Sequence, residues 1–205
     1  GFIATNYVKK YNKNHKVKHF KKNINNIKEF VKFENKTKFT HFIHSAGLSR
    51  VNCINNRYDC LETNYNSIKK IINHLNTLHN KPMFIFLSTC HVYQTSKKKL
   101  KESSKLKPRD LYGKLKLKSE RYIRKHYKNH CILRLFNVHG KKPPKGIFYT
   151  DILNKLKKNQ KISINNSVRD FIHVNEVSKI IYYIITNNIK TTINVGSGLE
   201  YKLID

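Results

Sequence analysis

The sequence predicts an α/β fold, a doubly wound parallel sheet covered by helices on both faces. Short, β-rich apolar runs recur along its 205 residues, and longer stretches with helical spacing lie between them. The runs are nearly continuous in apolar residues rather than alternating, as strands buried on both faces require. They read KVKHF (16–20), THFIHSA (40–46), MFIFLST (83–89), CILRLF (131–136) and TTINVG (191–196).

Helices are expected over about 2–13, 27–35, 64–80, 110–128, 147–158 and 175–187. In the third of these, Ile68, Ile71, Ile72, Leu75 and Leu78 recur at three- and four-residue steps and form one apolar stripe. There is no internal repeat. The one composition break is GKKPPKG (140–146), which divides a sheet domain over 1–140 from a region over 141–205. That second region reads as the start of a small C-terminal substrate lobe, with a return to the sheet.

Composition bounds the function. At 39% apolar and 11% aromatic residues the chain can bury a sizeable core, which excludes a disordered segment. With 42 basic and 12 acidic residues the net charge is +30, which makes nucleic acid or an anionic ligand the first partner to weigh. The lysines are scattered, however, from VKKYNKNHKVKHFKK to NKLKKNQK. Lys, Asn, Ile, Tyr and Phe are abundant together while Gly, Pro, Ala and Trp are scarce. That pattern favours AT-rich coding bias over a nucleic-acid surface.

Cys53, Cys60, Cys90 and Cys131 lie in no CxxC or Cys/His pattern, so no metal is expected and a reducing intracellular compartment is the default. No apolar run reaches membrane-spanning length and no signal peptide is visible, so a cytoplasmic location is expected.

The chain has seven glycines. Gly1 opens a helix, Gly47, Gly140, Gly196 and Gly198 follow strands, Gly113 adjoins Tyr112, and Gly146 closes the Pro-rich loop. In an open parallel sheet, ligands bind beyond the carboxyl ends of the strands, where four of these glycines fall.

Three tyrosines have lysine four residues on: Tyr65–Lys69, Tyr93–Lys97 and Tyr112–Lys116. Spacing alone does not choose among them in so lysine-rich a chain. Proton transfer by such a pair needs both residues on one helical face, an ammonium to favour the phenolate, and a hydroxyl from a strand end to hold the substrate oxygen. Tyr112 opens an expected helix, and Ser88 and Thr89 end the strand before it. Lys97 begins the polar run KKKLKESSK, and Tyr65 has no strand-end hydroxyl just before it. Tyr112–Lys116 is the pair that meets all three conditions.

With these segments in order, the sequence resembles the extended short-chain dehydrogenase/reductase family of NAD-dependent nucleotide-sugar epimerases and dehydratases. The matching segments are GFIA, FIHSAG, ETNYNSIKKII, LSTCHVYQ, PRDLYGKLKLKSE, LRLFNVHG, VRDFIHVNEVSK and NVGSG, which together span nearly the whole chain. The resemblance implies a Rossmann-type fold, NAD or NADP as cofactor, a nucleotide-diphosphate sugar as substrate, and a homodimer.

It also implies roles. Thr89 would hold the sugar oxygen, Tyr112 would move its proton, and Lys116 would hold the nicotinamide ribose and depress the Tyr112 pKa. Cys90 and His91 occupy the two positions where sugar dehydratases of the family carry an acid and a base. Gly1, Ala4, Lys21, Lys22, Ala46 and Asn64, with Tyr112 and Lys116, would line the cofactor. Asn137 and Arg169, with Thr89, would meet the substrate.

Two departures are visible. Gly1 would be the second glycine of the dinucleotide loop, with the first glycine and first strand preceding residue 1. HFKKN, with Lys21 and Lys22, replaces the acidic residue expected for the adenosine ribose, which leaves NAD and NADP both open. Two other readings stay open: a basic nucleic-acid-binding protein on a Rossmann scaffold, and a dinucleotide-binding member without turnover.

Overall fold

The computed structural model describes residues 1–96, 98–141, 143, 148–162 and 167–203. Its centre is a four-stranded parallel sheet formed by β1 (His41–His44), β2 (Met83–Thr89), β3 (His130–Leu135) and β7 (Thr192–Val195), in that order. Between β1 and β2 run α3 (Arg50–Asn55), α4 (Arg57–Leu61), a π-helical turn (Glu62–Asn66) and α5 (Ser67–Thr77). α1 (Phe2–Tyr11) and α2 (Ile27–Thr37) precede β1, and α6 (Leu111–His126) joins β2 to β3.

β2 is buried along its whole length, so its alternate side chains feed two separate cores. Met83, Ile85 and Leu87 meet Tyr7 of α1 and Ile181 and Ile184 of α8 (Val174–Thr186). Phe84 and Phe86 meet Phe30 of α2, Ile68, Ile71, Ile72 and Leu75 of α5, and Ile123 of α6. Each such large side chain contributes about 1.5–3 kcal/mol by leaving water. This is the doubly wound arrangement that the continuous apolar strands predicted.

The apolar stripe of α5 forms as expected, but the helix stops at Thr77 and Leu78 is extended. The expected strand at 16–20 is corrected: these residues are not hydrogen-bonded into the sheet. Their apolar side chains serve packing instead, Val17 against the α1/α8 core and Phe20 against the α2/α5 core.

β4 (Asn137–His139) pairs in parallel with β6 (Phe171–His173), while β5 (Val168–Arg169) pairs antiparallel with β8 (Tyr201–Lys202). α7 (Phe148–Lys157) lies between β4 and β5 in the chain. Most of the Pro-rich loop, including Gly146, lies outside the described residues.

Cys53 and Cys60 are joined by a disulfide, which the expectation of a reducing compartment did not anticipate. Cys90 and Cys131 are free. Among the described residues, no helix is long and apolar enough to cross a membrane.

Candidate active site

Helix α6 carries most of the site. Asp110 caps it, one carboxylate oxygen accepting from the Gly113 amide at 2.8 Å. Gly113 is required by a close approach, since a Cβ there would collide with the carbonyl oxygen of His91. Its buried face runs through Leu115, Lys116, Leu117, Ser119, Glu120 and Ile123.

Glu120 is fully buried and accepts from Ser88 Oγ at 2.5 Å and from Arg134 Nη2 at 2.7 Å. Arg134 also donates to the Tyr93 hydroxyl at 2.8 Å, and that hydroxyl donates to Asn194 Oδ1 at 2.6 Å. This satisfied network ties α6 to β2, β3 and β7. It also gives Tyr93 a structural role; its partner by spacing, Lys97, lies outside the described residues.

Thr89 ends β2, and its Oγ1 accepts from the His91 amide at 3.2 Å, capping the short 3-10 turn Cys90–Val92. Its hydroxyl also stands near the Tyr112 phenol and favours the phenolate. Strand end and helix start are thereby brought together at the two oxygens expected to hold a substrate hydroxyl. Protein packed around the phenol pushes the Tyr112 pKa up to about 12, a rise that the Thr89 hydroxyl only moderates.

The expectation that Lys116 depresses this pKa is not met in this geometry. Lys116 Nζ donates to the Leu87 carbonyl at 2.9 Å and lies 4.7 Å from the Phe86 ring centre. Burial brings its own pKa down to about 8, opposed by the charge of Glu120.

Burial raises the Cys90 thiol to about 11, so it stays protonated at neutral pH. His91 is shifted the other way: loss of water lowers its pKa, and Asp110 opposes this. The charges of Arg50 and Arg169 lower it further, leaving a neutral imidazole. Its ring meets that of Tyr112 edge to face, with centroids 5.8 Å apart.

Five of the expected cofactor residues, Gly1, Ala4, Lys21, Lys22 and Ala46, line one cavity of about 830 Å³. Asn64, Tyr112 and Lys116 do not line it; Asn64 is fully buried against Gly47, where it clamps the loop after β1. Its Oδ1 accepts from the Leu48 amide at 2.9 Å, and its Nδ2 donates to the Leu48 carbonyl at 3.1 Å. Its Nδ2 also lies 3.3 and 3.4 Å from the sulfurs of Cys53 and Cys60.

The substrate candidates are placed less directly. Asn137 Nδ2 donates to the Asp170 carbonyl at 2.8 Å, within the β4/β6 pair. Arg169 is exposed, and its charge reaches both Cys90 and His91. Among the described residues, no group of three or more His, Cys, Asp or Glu is placed to hold a metal ion.

Asp110 and Arg50 escaped the sequence reading. Arg50 Nε donates to Asp110 Oδ2 at 2.8 Å, across sixty residues of chain. For Asp110 a signal exists in the sequence, because an Asp directly before an amphipathic helix is a capping position. Arg50 has none.

A helix-covered parallel sheet, with a strand-end hydroxyl beside a tyrosine opening the next long helix, is a Rossmann-type arrangement. The chain belongs to the NAD dependent epimerase/dehydratase family, whose profile matches residues 2–196.

Among solved structures it is similar to the Thermus thermophilus UDP-glucose 4-epimerase complexed with NAD. Identity is 15%, the TM-score is 0.85, and the match covers 98% of this chain and 76% of that one. It is also similar to the Bacillus anthracis dTDP-glucose 4,6-dehydratase in complex with NAD, at 14% identity and TM-score 0.82, covering 98% and 74%. A dTDP-4-dehydrorhamnose reductase from Clostridium acetobutylicum matches at 18% identity and TM-score 0.84, covering 98% and 72%. At these identities the likeness is one of fold. No curated protein sequence matches this chain.

Proposed function

We propose that this chain is an NAD(P)-dependent enzyme acting on a nucleotide-diphosphate sugar, with hydride transfer at a sugar carbon coupled to proton transfer by Tyr112. The observation that carries this is the placing of the Thr89 hydroxyl, at the end of β2, beside the Tyr112 phenol that opens α6, one helical turn before the buried Lys116.

The residues present fit a dinucleotide. The cavity of about 830 Å³ falls within the usual range for ligand clefts, and Gly1, which caps α1, and Ala4 of its first turn line it. Gly47 gives backbone access where a Cβ would stand 2.9 Å from Asn64 Oδ1 and 3.4 Å from Lys116 Nζ. Gly1, Ala4, Ala46 and Asn64 would hold the dinucleotide, and Lys21 and Lys22 would meet its adenosine end. The bound nicotinamide supplies hydride acceptance and donation.

The chain's own residues supply the rest. Thr89 orients the sugar oxygen, and Tyr112, protonated at neutral pH, transfers the proton there. Lys116, seated on the Leu87 carbonyl, would hold the nicotinamide ribose. His91 accepts a second proton, for which its neutral imidazole is suited and the Cys90 thiol is not. Arg169 faces the substrate phosphates, a task its planar fork suits. A homodimer and a cytoplasmic location belong to the same reading.

The first test is fluorescence titration of NADH and NADPH into the protein at moderate salt, followed by Tyr112→Phe. Saturable binding of either nucleotide is expected. The Tyr112→Phe variant should bind it nearly as well and turn over no substrate. Equal loss of both properties would refute the role given to Tyr112.

A further inference from the structure

Two charged residues beside Tyr112, Asp110 and Arg50, have no part in the chemistry above. Asp110 uses its Oδ1 to cap α6, while its Oδ2 accepts from Arg50 Nε at 2.8 Å and lies 3.5 Å from His91 Nδ1. A single carboxylate thus meets a helix end, an arginine from α3 and an imidazole from the turn after β2.

We propose that Asp110 is a positioning residue for His91, holding the imidazole in its Nδ1–H form so that Nε2 is left as the proton-accepting nitrogen. This rests on the function proposed above and deepens it by naming what orients the second proton-transfer group.

The His91 backbone is already fixed from both sides. Its amide donates to Thr89 Oγ1 at 3.2 Å, and its carbonyl packs against Gly113 where no side chain fits. With the main chain held and the ring edge-on to Tyr112, the Nδ1 contact decides which nitrogen carries the proton. A carboxylate accepts from an N–H and cannot donate to a bare ring nitrogen, so it selects the Nδ1–H tautomer.

The groups around the imidazole act in opposite senses. Asp110 favours the imidazolium, whereas Arg50, Arg169 and partial loss of water disfavour it. Thr89, Cys90 and Tyr112 complete the surroundings as neutral groups at neutral pH. Arg50 therefore has two effects, steadying the carboxylate and keeping the imidazole neutral.

Capping alone would also explain an aspartate here, and the two roles separate experimentally. Asparagine caps helices as well as aspartate does but carries no charge. Asp110→Asn therefore keeps the cap and removes the acceptor for the imidazole.

The experiment is nitrogen-15 NMR of histidine-labelled protein across pH, with the His91 signals assigned from a His91→Gln spectrum. Wild type should show His91 as the Nδ1–H tautomer. In Asp110→Asn its pKa should fall and the population move toward Nε2–H, with helix content unchanged by circular dichroism. Arg50→Gln, which leaves the cap untouched, should raise the His91 pKa and serves as the second variant if Asp110→Asn unfolds. An unchanged tautomer and pKa in Asp110→Asn, or an unchanged pKa in Arg50→Gln, overturns the proposal. Failure of the wild type to bind NADH or NADPH would refute the enzyme reading separately, because the His91 signals report the Asp110 contact without any ligand.

Discussion

Replacing Lys116 with methionine should make this protein more stable and less active. Lys116 is 5% exposed, and burial brings its pKa from 10.5 to about 8. At about 1.4 kcal/mol per unit, holding the ammonium in place at neutral pH costs the fold on the order of 3 kcal/mol. Methionine removes that cost with a side chain of similar reach. It forfeits the bond to the Leu87 carbonyl, worth roughly 1 kcal/mol, and the contact with the Phe86 ring, worth up to a similar amount. The net gain is about 1–2 kcal/mol, or about 2–8 °C in melting temperature for a domain of this size.

The pH dependence has a definite sign. The unfolded chain binds this proton up to the ordinary lysine pKa, whereas the folded chain releases it near pH 8. Wild-type stability therefore gains from this site as pH rises from about 8 to 10.5. The advantage of Lys116→Met should shrink over that window. Thermal melts of both proteins at pH 7 and pH 10 measure it. A variant less stable at pH 7, or an advantage that widens with pH, would refute the reasoning.

Three other substitutions probe the frame around the site. Gly113→Ala should cost on the order of 1–3 kcal/mol and displace the Cys90–Val92 turn, since the new Cβ meets the His91 carbonyl; denaturant melts and the His91 NMR signals check both effects. Arg134→Met leaves the fully buried Glu120 with Arg124, a weaker and partly exposed partner, and should cost about 3–5 kcal/mol in urea unfolding. Cys53→Ser, or reduction, opens a short loop and should cost about 2–3 kcal/mol on chain-entropy grounds, read as a lower urea midpoint that dithiothreitol reproduces in wild type.

What could be read from the sequence was set by how local its cause is. β2 and α5 were legible because burial on both faces of a strand, or along one helical stripe, writes itself into consecutive residues. The elements that carry the candidate residues were legible for the same reason: Thr89 ends a strand, Tyr112 opens a helix, and Lys116 follows one turn on. The segment 16–20 misled because its apolar residues suit a strand and equally suit packing between two layers, a choice made by neighbours outside the segment. The Arg50–Asp110 contact spans elements whose relative placement no local pattern encodes, and so does the seat of Lys116 on the Leu87 carbonyl.

Helix α6 shows why stability and chemistry are coupled in this fold. Its buried face alternates apolar contacts at Leu115, Leu117 and Ile123 with Lys116, Ser119 and Glu120, polar groups of kinds that are costly to bury unpaired. Ser119 donates to the Asn64 carbonyl at 2.7 Å and Glu120 is enclosed by Ser88 and Arg134, so both bind α6 to its neighbours. Lys116 differs from them. It is sealed in with one carbonyl and an aromatic face, and its depressed pKa records an unfavourable charge. A helix selected for stability alone would carry an apolar residue there. Under the proposed function, the retained ammonium, one turn from Tyr112, is the group that would hold the nicotinamide ribose.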